Sequence, residues 1–142
     1  MTTAAASILF FCLITVGLAH LLWALGVPWP VRDPKLLAAT VTGREGVERV
    51  SRLGALLVAA FVLAAAAAGT ALADLTSGGL PLTLAGLGLA LIFGIRGGLG
   101  YTAGWRTTHA REPFPALDRK VYSPLCLIVA GCFLVLVVMR LL

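Results

Sequence analysis

The apolar positions of this chain fall into four long blocks separated by polar connections. Ala4 to Leu25 is broken only by His20, and neither Leu53 to Ala73 nor Leu80 to Ile95 carries an ionisable side chain. Pro124 to Met139 contains nothing more polar than two cysteines after its opening turn. A helix needs about 20 apolar residues to cross the hydrocarbon core, and in lipid every backbone amide must be bonded within its own segment. The pattern therefore predicts four transmembrane helices near residues 3–25, 52–73, 80–101 and 123–141. Barrel strands are short and alternate apolar with polar positions, so the continuous runs exclude a barrel. The expected fold is an all-α, four-helix transmembrane bundle that forms a single domain over residues 1–142. The first block lacks the basic n-region of a cleaved secretion signal and exceeds a usual h-region, so it is read as a retained helix.

Composition supports that reading. The chain is 60% hydrophobic and 12% charged, and a soluble fold of 142 residues could not bury so much apolar surface. Charge then sets an expected orientation. Of the 11 Lys and Arg, Arg32, Lys35, Arg44, Arg49 and Arg52 follow the first span, and Arg106, Arg111, Arg119 and Lys120 precede the fourth. Arg96 lies near the exit of the third span on that same side, and Arg140 alone falls opposite. Short loops rich in Lys and Arg stay in the cytoplasm. Both long loops are thus expected to be cytoplasmic and both termini outside, in the cytoplasmic membrane. The net charge of +5 flanks membrane spans, so its expected partners are lipid headgroups and not nucleic acid.

The connections add detail. Prolines 28, 30 and 34 in GVPWPVRDP predict a stiff, extended exit from the first span, with Trp23 and Trp29 at headgroup depth. TGREGVERVSR can begin a surface helix leading into the second span, supported by the i,i+4 pairs Arg44–Glu48 and Glu45–Arg49. The turn DLTSGGLP carries Asp74, the one acid expected outside. In the third span Gly86, Ala90, Gly94 and Gly98 form a small-xxx-small stripe, which lets helices approach closely in lipid. GIRGGLGYTAG has neither glycine-loop pattern of a phosphate cradle, and no strand precedes it.

Candidate chemistry concentrates at one depth. His20 and Trp23 share a face near the end of the first span, Arg96 lies near the same end of the third, and Asp118 and Tyr122 stand where the chain enters the fourth. Intramembrane ionisable groups are costly and usually face the interior in pairs. Arg96 is expected to snorkel to lipid phosphate, to pair with Asp118 and so hold the third and fourth spans together, or to serve a functional role as an anion clamp for a ligand. Cys12, Cys126 and Cys132 have no redox spacing and read as small buried residues. With two histidines only, His20 and His109, neither a zinc site nor a haem can be assembled, so no metal or cofactor is expected.

Three segments in order, HLLWALGVPWP, IRGGLGY and FPALDRKVYSPLCL, resemble a family of small bacterial four-helix membrane proteins catalogued as domain of unknown function 3995. The resemblance covers essentially the whole chain. It implies one four-helix domain and points to His20, Trp23, Gly26, Arg96, Asp118, Tyr122, Ser123, Pro124 and Cys126 as positions matching the family pattern. It implies no activity.

Residues and resemblance together give three functional expectations. The first is a polar pocket at the cytoplasmic end that binds a lipophilic small molecule such as a lipid, quinone or isoprenoid. Trp23, Arg96, Tyr101 and Ser123 would bind it. Any chemistry there would be proton transfer by His20, Asp118 and Tyr122. The second is an accessory subunit that assembles, with itself or a membrane partner, through the small-residue face of the third span. The third is a small dimeric transporter, disfavoured because all six acids lie in loops or at helix ends.

Overall fold

The computed structural model describes all residues from Met1 to Leu142. Seven helices and no strand form: α1 Thr2–Ala24, α2 Pro34–Thr42, α3 Arg52–Ala73, α4 Gly79–Leu99, α5 Ala103–Thr108, α6 Phe114–Leu117 and α7 Ser123–Leu141. A π turn, Asp118–Tyr122, joins α6 to α7 without a break. Four helical stretches are long and apolar enough to cross a membrane: Thr2–Ala24, Arg52–Ala73, Gly79–Leu99 and Phe114–Leu141. In the most apolar 18-residue stretch of each span only 28% to 39% of residues are buried. The remaining apolar surface faces outward all round the bundle, and only lipid can accept so much of it.

The spans pack antiparallel in sequence order. α1 lies against α3, α4 against α7, and α1 against α7, so the chain closes an up-down-up-down bundle. The core is built from Leu9 and Leu13 of α1, Val62 and Leu72 of α3, Ala90 of α4, and Val129 and Phe133 of α7. Phe133 stacks on Phe93, and Phe93 on Phe61, with ring centroids 6.1 and 5.9 Å apart. Small residues let the helices approach: a Cβ at Gly86 would strike Leu72, and one at Gly97 would strike Leu127.

The small-residue stripe therefore turns inward for half its length. Gly86 and Ala90 are buried within the bundle, and Gly94 faces Ala130 of α7. Gly98 looks into open space, and the buried glycines at this end of α4 are Gly97 and Gly100. The 100° step per residue explains the drift, because strict four-residue spacing slides round a helix.

One end of the bundle is tied by a single arginine. Arg140 donates from Nε to Thr83 Oγ1 at 3.1 Å and from Nη1 to Leu72 O at 3.3 Å and Asp74 O at 2.6 Å, with a further bond from Nη2 to Ser77 O. Three of these acceptors are carbonyls at the end of α3 and in the turn that follows, where a helix leaves its last carbonyls unpaired. The same turn is closed by Asp74, whose carboxylate accepts from the N–H and hydroxyl of Thr76. Those two bonds, aided by Arg140, hold the Asp74 carboxyl below its usual range.

The opposite end carries both long connections, and here the sequence reading needs two corrections. Residues 43–51 form no helix, because Gly43 and Gly46 adopt left-handed conformations, φ 60° and 77°. The predicted Arg44–Glu48 and Glu45–Arg49 pairs do not form; Glu48 instead meets Lys35 at 3.1 Å on the exposed surface. The helix of this loop lies earlier, as α2. Asp33 caps it by accepting from Lys35 N, and Pro34 fills its first position, where no N–H is required. Asp33, the residue before Pro34, is extended as expected, and the helix that Pro34 starts is one the proline pattern did not predict.

Candidate functional site

Asp118 is the centre of the loop-bearing end. It is 1% exposed, and its carboxylate collects bonds from three elements. Arg96 Nη2 of α4 donates to Oδ1 at 2.7 Å, and Trp105 Nε1 of α5 donates to Oδ2 at 2.9 Å. The hydroxyl of Ser123, at the start of α7, donates to Oδ1 at 3.4 Å. A buried carboxylate is tolerated only when paired and hydrogen-bonded, and here both oxygens are occupied.

The local sequence explains how three elements reach one carboxylate. Ser123 N–H bonds back to Asp118 O, the i to i−5 bond of a π turn. Pro124 has no N–H and its ring crowds the carbonyl four residues earlier, so the backbone opens by one residue at this point. Thr102 caps α5 by accepting from Trp105 N, which fixes where the indole points. Gly100 supplies the space: a Cβ there would overlap the Ser123 hydroxyl and lie 2.7 Å from Asp118 Oδ2.

Arg96 is only partly satisfied. Its guanidinium carbon sits 4.8 Å from the Trp105 ring centroid, a cation–π contact, while Nη1 is buried with no hydrogen-bond partner. Trp105 stacks in turn on His109, with centroids 4.0 Å apart, and His109 leads on to Phe114 and Tyr122 at 5.6 and 5.8 Å. This aromatic row fastens the second loop to the first. Tyr122 donates its hydroxyl to Thr40 O at 3.2 Å, Arg111 donates to Val47 O at 2.8 Å, and Arg111 N–H donates to Gly43 O at 2.9 Å. Gly43 has both a left-handed backbone and the Phe114 ring where a side chain would be.

Between the two loops lies a groove of about 360 Å³. Arg44, Arg49, Arg96, Thr42 and Ser51 form its polar wall. Its apolar wall includes Val41, Val47, Trp105 and Phe114, with His109 beside them. A second hollow of about 240 Å³ lies by Trp23 and Gly26, and Arg49 lines both.

Arg96, Asp118 and Ser123 thus come together, and Tyr122 stands near them with its hydroxyl spent on α2. His20 does not join them. Its Nδ1 meets Val16 O at 2.9 Å and its ring lies 4.6 Å from Trp23, both on its own helix. Trp23 donates to Trp29 O at 2.7 Å, and Tyr101 donates to Arg119 O at 3.3 Å from an exposed position. No group of three or more His, Cys, Asp or Glu side chains gathers anywhere in the chain. Trp105 and Gly100 escaped sequence reasoning, and Arg44 and Arg49 were read only as loop charges and helix ion-pair partners. The one local signal for Trp105 was Thr102 three residues ahead of it, a capping spacing. Nothing local marks Gly100, whose role comes from α7.

Four apolar spans with one buried ion pair at the loop-bearing end define a multi-pass membrane protein. The chain belongs to the family described as protein of unknown function DUF3995, which matches residues 13–133. No curated protein and no solved structure matches it.

Proposed function

We propose that this protein binds a lipophilic small molecule, such as a lipid, quinone or isoprenoid, in the groove between its two long loops. The observation that carries the reading is the groove itself. Its volume of about 360 Å³ falls within the range of about 300–1,000 Å³ typical of small-molecule sites. Apolar side chains from both loops face a polar wall that contains Arg96, a cation held at the edge of the hydrocarbon by a buried partner. That combination suits an amphiphile, with a polar end at Arg96 and an apolar body against Val41, Val47 and Phe114.

The reading is of binding and not of proton transfer. Asp118 has both oxygens committed and no access to solvent, and the Tyr122 hydroxyl is spent on Thr40. The groove would open to the cytoplasm, because nine of the 11 basic residues lie in or beside the two long loops and such loops are retained inside.

The test is gentle purification followed by mass spectrometry of the lipophiles that travel with the protein. One species enriched over the bulk lipid is expected in the wild type, and it should be lost in Val47→Trp, which fills the groove. Absence of any enriched species, or enrichment untouched by Val47→Trp, would sink the proposal.

A further inference from the structure

We infer that the polar end of the ligand is a phosphate, held by Arg44 and Arg49 in front of Arg96. This rests on the groove being a binding site, as proposed above, and adds the chemical class of what it holds.

Charge is the first argument. Three arginines line the groove and no carboxylate does. Arg96 has Asp118 behind it, but neither Arg44 nor Arg49 forms an ion pair. The acids nearest in sequence do not help: Glu48 has turned to Lys35, and Glu45 pairs with nothing. Cations drawn together without a counter-charge repel one another, and an anion between them removes that cost.

The second argument is the helix that begins there. Ser51, on the groove wall, is the N-cap of α3, a helix of 22 residues. Gly54 N–H is taken by the Ser51 hydroxyl oxygen and Ala55 N–H by its carbonyl. The N–H groups of Arg52 and Leu53 have no partner in the chain. The Ser51 hydroxyl, which only accepts in this bond, keeps its proton free to donate. Of this helix start only Ser51 lines the groove, so α3 contributes the Ser51 hydroxyl and the positive end of its dipole, while its open N–H groups lie one and two residues beyond the lining.

Number and shape decide between anions. A carboxylate carries one charge and is satisfied by a single forked guanidinium, whereas a phosphate monoester brings more charge and three outward oxygens. Two unpaired guanidiniums and a hydroxyl match the latter. Thr42 adds nothing, because its hydroxyl already donates to Ala38 O.

The shared chemistry is a phosphate, whose source is either a phospholipid head or the free ion. The test uses the full chain in mild detergent at fixed ionic strength, with native mass spectrometry and titration. The probes are dioleoyl phosphatidate, its neutral counterpart dioleoylglycerol, and inorganic phosphate as competitor. Phosphatidate is expected to bind saturably and more tightly than dioleoylglycerol. Arg44→Gln with Arg49→Gln should weaken it about tenfold or more, the loss of at least one charge-assisted contact. Both arginines are exposed and unpaired, so this variant should fold normally. Arg32→Gln with Lys120→Gln removes two exposed charges outside the groove and should leave binding unchanged.

Competition by inorganic phosphate would assign the site to the phosphate alone, and binding immune to it would assign the site to the lipid head. Equal binding of phosphatidate and dioleoylglycerol would overturn the phosphate inference while leaving the groove a site for lipophiles. An equal loss in the Arg32, Lys120 variant would also overturn it, since binding would then be general attraction to a basic surface. Failure of every lipid to bind would remove both readings.

Discussion

At the residue scale, Asp118 and Gly100 act as one feature. The carboxylate needs Arg96, Trp105 and Ser123 at once, and α4 can bring Arg96 close to α7 only where position 100 has no side chain. Gly100→Ala should therefore destabilise the loop-bearing end, by about 1–3 kcal/mol as for overpacking elsewhere. Thermal unfolding in detergent would register the loss. Asp118→Ala should cost more, about 3–5 kcal/mol, because it strands Arg96 without its partner. Replacing Arg96 and Asp118 together by Met and Leu should recover much of that loss. A double replacement as damaging as Asp118→Ala alone would contradict this account of the pair.

At the element scale, two connections are held by different physics. The first loop is fastened by α2, whose cap Asp33 and leading Pro34 set its start and whose Gly43 ends it with a left-handed residue. Asp33→Ala should weaken α2 by about 1 kcal/mol, and proteolysis within residues 43–51 should quicken. The turn between α3 and α4 depends on Arg140, which no spacing rule pointed to. Arg140→Met should loosen that turn and expose its amides to hydrogen exchange, while the groove at the other end stays unchanged. The turn is also weakly acid-sensitive. The folded Asp74 carboxyl titrates below its unfolded value, so its contribution is present above the unfolded pKa and fades as pH falls through the folded one. Asp74→Asn should remove that part of the acid response, read as a smaller change in amide exchange at Thr76 on acidification.

At the scale of the whole molecule, the lipid environment follows from composition, and composition also sets an expectation for orientation. With most apolar side chains facing outward, the chain needs lipid on all sides of the bundle. The basic loops are expected inside. Single cysteines introduced at exposed Arg106 or Glu45, in a background lacking Cys12, Cys126 and Cys132, should react with a membrane-impermeant maleimide only after the cells are opened. One at exposed Thr76 should react in intact cells. The reverse pattern would invert the topology and place the groove outside.

What the sequence alone determined is what depends on runs and counts. Four blocks of apolar residues gave the first three spans to within a few residues and the apolar part of the fourth, because lipid offers backbone amides no partner outside a helix. The more polar stretch over residues 114–122 that lengthens the fourth was missed. The concentration of polar groups at one end was equally legible, since depth along a helix is a simple function of residue number. The tertiary structure decided the rest, because it depended on azimuth and on contacts between distant segments. It turned Gly86 and Ala90 inward, left Gly98 outside, and kept His20 with its own helix. It turned Glu48 to Lys35 and formed no Glu45–Arg49 pair, and so left Arg44 and Arg49 without ion pairs on the groove wall. Arg96 and Asp118 stand 22 positions apart, and matching depth made their pairing an expectation, but only the folded bundle shows that the pair leaves one guanidinium nitrogen over. Burial fixes which residues meet, and the chain must close into a bundle before burial exists.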